Sequence, residues 1–134
     1  NKKNLQVQTL VNGQEPGPDQ ALVIAGEKDK LESMLANLVV NALEASPPDR
    51  LITLSLTTDP SRVHIDIHNW GQIPEEIQDI FFERYVTAGK KRGTGLGTYS
   101  ARLTARAHGG DVSFISTAQE GTHLFIDLPL HHVP

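Results

Sequence analysis

The chain has 134 residues, a net charge of −4 and no cysteine, so it is long enough for one domain with a core but cannot form a disulfide framework or a thiolate metal site. Its acidic balance argues against general binding to nucleic acid or to a membrane surface, since both require a basic excess. Its longest apolar runs are far shorter than the roughly 20 residues that a membrane-spanning helix needs.

The first part of the chain predicts a strand, a loop and a long amphipathic helix. The chain begins at Asn1 rather than Met, and we therefore expect a single domain over residues 1–134 that is part of a longer protein. Residues 5–14 alternate in polarity and end in Asn-Gly, as in a strand followed by a turn. After a loop rich in proline and glycine, apolar residues recur at helical spacing and end before Pro47. The apolar stripe of this helix comprises Leu31, Met34, Leu35, Leu38, Val39 and Ala42.

The middle of the chain predicts two strands and a short helix. Apolar residues alternate with polar ones over residues 52–56 and again over 63–67, as in a pair of half-buried strands. Residues 73–85 predict a short helix, because Pro74 suits the first turn of a helix and acidic residues follow it.

The last part of the chain predicts a third helix and two closing strands. A polar loop over residues 86–94 leads into a helix over about 96–108, which two glycines end. Residues 111–117 and 123–130 alternate as strands on either side of a turn. The whole pattern predicts an α+β fold: a two-layer α/β sandwich with three helices on one face of a mixed, mostly antiparallel sheet.

The first helix carries a second, polar stripe beside the apolar one. Ser33, Asn37, Asn41 and Glu44 recur at helical spacing, although asparagine is a poor helix former. This stripe is either the solvated flank of an amphipathic helix or a row of side-chain oxygens that face a magnesium ion or a phosphate. Mg²⁺ prefers hard oxygen ligands and is often held by few protein groups together with a nucleotide.

The glycine-rich segment 93–97, "GTGLG", lies where the third helix begins. Unpaired backbone N–H groups and the positive end of the helix point to the same place there, and the missing Cβ atoms of Gly95 and Gly97 let phosphate oxygens approach. The segment lacks the Lys-Ser or Lys-Thr of a Walker loop, and no predicted strand runs into it as in a dinucleotide fold. It is therefore either a phosphate cradle or a solvated loop with basic residues at 90–92.

Taken in order, these segments resemble the ATP-binding catalytic domain of sensor histidine kinases, members of the Bergerat-fold superfamily that also contains gyrase-type and chaperone-type ATPases. The resemblance covers about residues 20–130. Five segments carry it: "NLVVNALEA" as the asparagine box, "HNWGQIP" as the first glycine box, "FFERYV" as the phenylalanine box, "GTGLGTYSARLTARAHGG" as the second glycine box and "EGTHLFIDLPL" as the closing strand.

The resemblance implies ATP and Mg²⁺ as ligands and assigns roles by position. Asn41 would coordinate Mg²⁺, and Asn37 beside it would contact the metal or a phosphate and is the one candidate for a catalytic residue. The backbone amides of residues 95–97 would cradle the phosphates under a lid formed by residues 86–94, and Thr122 would help to bind adenine. The nucleotide-binding residues implied are Asn37, Asn41, Asn69, Gly71, Tyr85, Lys90, Gly93, Gly95, Leu96, Gly97 and Thr122.

The first glycine box departs from the family pattern. The family has an aspartate there that accepts the adenine amino proton, whereas alignment on Gly71 puts Asn69 at that place and alignment on Ile73 puts His68 there. We prefer Asn69, because this alignment keeps a glycine and an acceptor oxygen. Losing the charge-assisted bond would cost on the order of 1 kcal/mol of binding free energy. Trp70 would either pack over the purine or cover the sheet edge.

The residue at position 37 indicates the branch of the family. Gyrase-like relatives hydrolyse ATP with a glutamate at this place, so Asn37 favours phosphoryl transfer to a protein group over hydrolysis. The resemblance then implies a histidine kinase domain, acting in the cytoplasm whether or not its parent protein is anchored in a membrane, without nucleic-acid or membrane contacts of its own. Its partners would be an acceptor-histidine helical domain of the same protein and a downstream response regulator.

Two other classes stay open at this stage. One is a degenerate domain that binds a partner protein and no nucleotide, which the altered first glycine box favours. The other is an anti-sigma-type serine kinase on the same fold. None of the six histidines of the chain is followed by an acidic residue, so the acceptor histidine is expected to lie outside this domain.

Overall fold

The computed structural model describes residues 6–14, 27–84 and 97–130. Within these ranges no helix is both long and apolar enough to cross a membrane. The elements follow in the order β1 (Gln6–Val11), α1 (Lys28–Ala45), β2 (Leu51–Thr58), β3 (Arg62–Asn69), α2 (Glu75–Gln78), α3 (Gly97–Ala107), β4 (Asp111–Thr117) and β5 (Gly121–Pro129).

The five strands form one sheet in the order β1-β2-β3-β5-β4. β1 pairs with β2 in parallel, and the other three pairs are antiparallel, so the predicted mixed and mostly antiparallel sheet is confirmed. The alternation of the strands sends most of their apolar residues to the face that the helices cover, where Ile52, Ile67 and Leu124 are fully buried. The opposite face, called the open face below, carries the intervening side chains, which are mostly polar but include Ile115 and Phe125.

α1 fixes the helical layer through the predicted apolar stripe. Leu31, Met34, Leu38 and Ala42 are buried, and the remaining two members of the stripe pack partly against the same core. α3 runs antiparallel to α1: its first residue, Gly97, lies against Asn37, while His108 just beyond its end accepts a hydrogen bond from the Glu27 backbone at the start of α1 (3.1 Å). The start of α3 therefore faces the middle of α1.

The helix predicted over residues 73–85 is wrong beyond its first turn. Among the described residues 73–84 only Glu75–Gln78 is helical, and the backbone continues as tight turns in which Ile80 and Phe81 donate to carbonyls three residues earlier. Consecutive residues on a helix point about 100° apart, yet Phe81 and Phe82 both pack against Phe114 of β4, with ring centroids 5.0 and 5.8 Å away. Packing on the sheet thus outweighs the local helical pattern.

Asp111, the first residue of β4, ties the sheet to α3. Its Oδ1 lies 3.1 Å from Nε of Arg102 and 3.1 Å from Nε of Arg106, and its side chain is 45% exposed. Burial raises the pKa of Asp111, but the hydrogen bonds from Arg106 and Arg102 outweigh it and hold that pKa below its ordinary value. The carboxylate therefore stabilises the fold above the pKa of an unfolded aspartate, and this stabilisation is lost as the pH falls through the lower, folded-state pKa.

Asp111→Asn is accordingly expected to lower the free energy of unfolding at pH 7 by at most about 1 kcal/mol, because the ion pairs are half exposed. The difference from the unmodified chain should begin to shrink below about pH 4 and should disappear only below the lower folded-state pKa, where Asp111 is protonated. Urea unfolding at pH 7 and at pH 3 measures both values. Asp49→Asn, which makes the same charge change in the exposed turn after α1, serves as the control. A deficit that is equally large at both pH values would contradict the assignment to the Asp111 charge.

Candidate functional site

The polar stripe of α1 meets the N-terminus of α3. A Cβ atom added to Gly97 would lie 3.7 Å from the Cβ of Asn37, an ordinary contact distance. Asn37 and Asn41, one turn further along, are half-buried, whereas Ser33 and Glu44 at the ends of the stripe are exposed. Asn37 thus lies beside the start of α3, and Asn41 lies one turn further along α1. The first N–H groups of a helix lack helical partners, and such a helix end favours anions.

The sheet end of the site is a hydrogen-bonded network of three side chains around Gly71. Asn69 Oδ1 accepts from the Gly71 N–H at 2.8 Å, and the Thr122 hydroxyl donates to the Gly71 carbonyl at 2.7 Å. Ser116 Oγ lies 2.8 Å from Thr122 Oγ1 and accepts from the Ile73 N–H at 2.8 Å. Asn69, Thr122 and Ser116 are direct neighbours across β3, β5 and β4, so the strand register itself builds this row.

Ser116 was not among the residues predicted from the sequence. Its hydrogen-bond partners, Ile73 and Thr122, lie far from each other in the chain, so no local sequence pattern predicts that Ser116 joins them. The alternation of residues 111–117 does place Ser116 on the helix-covered face with the buried Val112, and a polar residue there was the available signal.

Gly71 brings this network against the C-terminal end of α1. A Cβ atom at position 71 would lie 2.1 Å from the carbonyl oxygen of Ala45, so only glycine lets the segment approach the helix this closely. Asn37, which lies beside the start of α3, and Ala45, which lies beside Gly71, are eight residues apart on α1. This separation is about 12 Å along the helix axis. Both groups of predicted site residues therefore line one helix.

The two alternatives for the altered glycine box, Asn69 and His68, lie on opposite faces of the sheet. Asn69 is 1% exposed and points to the helix-covered face, where it contacts Gly71. His68 points to the open face, and its Nε2 donates to the Glu120 carbonyl at 2.6 Å. Of the two residues, only Asn69 thus lies on the side of the sheet that carries Gly71 and Thr122.

Trp70 covers the open face rather than the site. Its ring meets the His68 ring edge-on with centroids 4.7 Å apart, and the Arg50 guanidinium lies 4.8 Å above it. The contact with His68 places the indole on the face opposite to Asn69. The sequence left open a position over the purine or at the sheet edge, and in the structure the indole covers the open face of the sheet, away from Gly71.

The described residues contain no group of three or more His, Asp or Glu side chains that could hold a metal ion. A metal at Asn41 would be bound by its neutral amide oxygen, and a ligand such as a phosphate would balance the charge of the metal. This donor set fits Mg²⁺, which keeps several waters and is commonly held by few protein groups together with phosphates.

Several predicted residues lie outside the part of the chain that the structure describes: the lid, residues 86–94, and with it Tyr85, Lys90, Gly93, Gly95 and Leu96.

Described residues on both sides of that segment contact one another. Thr98 donates to the Phe81 carbonyl at 3.1 Å. Arg84 donates to the Tyr99 hydroxyl at 3.0 Å, with its guanidinium 4.8 Å from the centre of the Tyr99 ring. These contacts hold the end of the 81–84 turn beside the start of α3.

Comparison with known proteins identifies relatives of the whole fold. The model of the family described as "Histidine kinase-, DNA gyrase B-, and HSP90-like ATPase" matches residues 26–132. Sensor histidine kinase WalK of Bacillus subtilis is 32% identical over 120 residues, and the probable sensor histidine kinase TcrY of Mycobacterium tuberculosis is 30% identical over 119 residues. In both cases the match covers 84% of this chain, but only 20% of WalK and 25% of TcrY.

Solved structures show the same fold. The mycobacterial sensor histidine kinase MprB superposes with a TM-score of 0.78 at 23% identity, covering 96% of this chain and 84% of that one. The catalytic domain of histidine kinase ThkA, in a nucleotide-free form, gives a TM-score of 0.77 at 24% identity, covering 95% of this chain and 81% of that one. At these identities the likeness establishes the architecture: helices on one face of a five-stranded mixed sheet.

Proposed function

The chain belongs to the family of histidine kinase-, DNA gyrase B- and HSP90-like ATPases, and on this premise we propose that it binds ATP with Mg²⁺ and presents the γ-phosphate to a histidine on a separate helical domain. The observation that carries the proposal is the pairing of two polar ends along α1. Asn37 lies beside the start of α3, with Asn41 one turn along α1, and Gly71, which is bonded to Asn69 and Thr122, lies against the end of α1.

The end of the site formed by Asn37, Asn41 and the start of α3, called the phosphate end below, would supply positioning and charge but no general base. The N-terminus of α3 lies against Asn37, and the N–H groups and positive dipole of a helix N-terminus would suit a triphosphate there. Asn41, with Asn37 beside it, would hold Mg²⁺, which supplies charge neutralisation to the transferred phosphoryl group. Asn37 is an amide and cannot take a proton from water, so this position supports transfer to a protein acceptor over hydrolysis.

The end of the site formed by Asn69, Gly71, Ser116 and Thr122, called the base end below because it would hold the nucleobase, supplies polar groups in fixed positions. Asn69 and Thr122 are 1% and 3% exposed, and both are held by hydrogen bonds to Gly71. Side chains fixed in this way lose little freedom when a ligand binds. We place the purine at these residues and the triphosphate along α1 toward Gly97.

The chain spans about a fifth of the WalK sequence, so the activity of the whole protein is part of the proposal. We propose that residues 1–134 are one catalytic domain with its lid at residues 86–94. The acceptor histidine then belongs to a helical domain elsewhere in the same protein, and both domains act in the cytoplasm. A response regulator receives the phosphoryl group.

Calorimetric titration of the chain with ATP and ADP, with and without Mg²⁺, tests the binding step. We expect micromolar to submillimolar dissociation constants that tighten with Mg²⁺. Incubation with γ-labelled ATP and a supplied acceptor-histidine domain then tests the transfer step. The product should be an acid-labile phosphohistidine, whereas an acid-stable product on a supplied serine partner would identify a serine kinase.

One specific observation favours a second candidate, a protein-interaction module without nucleotide. The aspartate of the first glycine box is replaced by the neutral Asn69. Absence of heat and of any thermal shift at millimolar nucleotide would reject the kinase proposal and leave this module.

A further inference from the structure

The hydroxyl groups at the base end form a hydrogen-bond chain with one direction. The Ile73 N–H can only donate, so Ser116 Oγ accepts from it. Thr122 gives its own proton to the Gly71 carbonyl, so Ser116 must donate to Thr122 across their 2.8 Å contact. With its proton engaged, Thr122 Oγ1 can offer a ligand only an acceptor lone pair.

The amide of Asn69 is oriented by the same logic. The Gly71 N–H is a donor, so the atom that faces it at 2.8 Å is the carbonyl oxygen of Asn69. A flipped amide would set an NH₂ group against this N–H, with two donors in contact at a buried position. The NH₂ group of Asn69 therefore lies on the side away from Gly71. An aspartate held in the same way would present a second acceptor oxygen on that side.

Resting on the proposed function, we propose that Asn69 makes the base end accept purines with a keto oxygen at C6, hypoxanthine and guanine among them, at least as well as adenine. Asn69 supplies a donor and Thr122 an acceptor. A keto purine presents the complementary pair, an acceptor at O6 beside a donor at N1–H.

Adenine presents the opposite pair, an amino donor at C6 beside the acceptor N1. Its amino group would meet the NH₂ of Asn69, so adenine must shift until N1 accepts from that amide. In the shifted position adenine still forms a hydrogen bond, but its two edge groups no longer pair with Asn69 and Thr122 at the same time. A hydrogen-bonding site discriminates against a ligand whose donors and acceptors do not match its own.

The test compares ATP with inosine triphosphate, each with Mg²⁺, by calorimetry on the chain. The two nucleotides differ only at the C6 substituent and the N1 proton, so the ratio of their dissociation constants reports on this contact alone. We expect inosine triphosphate to bind the unmodified chain at least as tightly as ATP. Asn69→Asp restores an acceptor and should shift the ratio about tenfold or more toward ATP, the change that corresponds to one mismatched polar contact.

Two controls accompany the comparison. Asn12→Asp makes the same chemical change at the turn after β1, where Asn12 Oδ1 accepts from the Thr58 N–H, and should leave the ratio unchanged. Inorganic tripolyphosphate with Mg²⁺ occupies the phosphate end without a base and sets the baseline affinity.

The outcomes separate this inference from the proposed function. If the unmodified chain binds ATP more tightly than inosine triphosphate by more than the error of the titration, or if Asn69→Asp leaves the ratio unchanged, the inference is wrong and the proposed function stands. If neither nucleotide binds more tightly than tripolyphosphate, the base end is unused and both fail. The comparison on the unmodified chain decides the matter even if the Asn69 variant does not fold.

Discussion

Asn41→Ala is expected to lower the rate of phosphoryl transfer to a supplied acceptor domain by about two to three orders of magnitude, the usual effect of removing one group that stabilises transition-state charge. Asn41 is the residue proposed to bind Mg²⁺, and the described residues contain no acidic cluster to replace it. The enhancement of ATP affinity by Mg²⁺ should disappear in the same variant. Calorimetry with Mg²⁺ and with a chelator measures that enhancement directly.

Loss of function in this variant should occur without loss of stability. Asn41 is half-buried on α1, and alanine is the better helix former by up to about 0.7 kcal/mol, so the thermal midpoint should stay the same or rise. Ser33→Ala, on the exposed part of the same stripe, is the matched control and should transfer at the normal rate. An Asn41 variant that retains the full magnesium dependence would show that the metal lies elsewhere.

Gly71→Ala is expected to destabilise the fold strongly, lowering the free energy of unfolding by about 3 kcal/mol. The new methyl group would lie 2.1 Å from the Ala45 carbonyl oxygen. The methyl position is fixed by the backbone of residue 71 and the oxygen belongs to the backbone of Ala45, so no side-chain rotation relieves the clash. A shift of the segment would also strain the bonds from Gly71 to Asn69 and Thr122. Urea unfolding measures the loss, and ATP affinity should fall with it.

Gly97→Ala is the control for this change. Its methyl group would meet Asn37 at 3.7 Å, within ordinary contact, and alanine improves the first turn of α3. We expect the unfolding free energy of this variant to stay within about 1 kcal/mol of the original. Equal free energies of unfolding for the two variants would mean that the backbone around Gly71 can move away from Ala45 without a loss of stability.

The features predicted correctly from the sequence are those that depend on neighbours in the chain. The stripe from Leu31 to Ala42 forms a helix and the alternating segments form strands, because periodicity and proline or glycine signals act locally. The helix predicted over 73–85 was wrong because Phe81 and Phe82 are placed by Phe114, a residue from a distant strand.

The site shows the same division. The polar stripe and the glycine-rich segment were each read from local patterns, whereas the contact between Asn37 and Gly97 at the start of α3 is seen only in the structure. The role of Ser116 depends on the order of β3, β5 and β4, which no local pattern contains. The choice between His68 and Asn69 needed the direction of each side chain relative to the sheet.

The placement of both ends of the site along α1 has a consequence for chain length. A residue inserted between Asn41 and Ala45 would rotate one end against the other by about 100° and displace it by about 1.5 Å. The asparagines and the Gly71 segment would then face different directions. The turns at 46–50 and 59–61 carry no such constraint, so changes of length can accumulate there while α1 keeps its residue count.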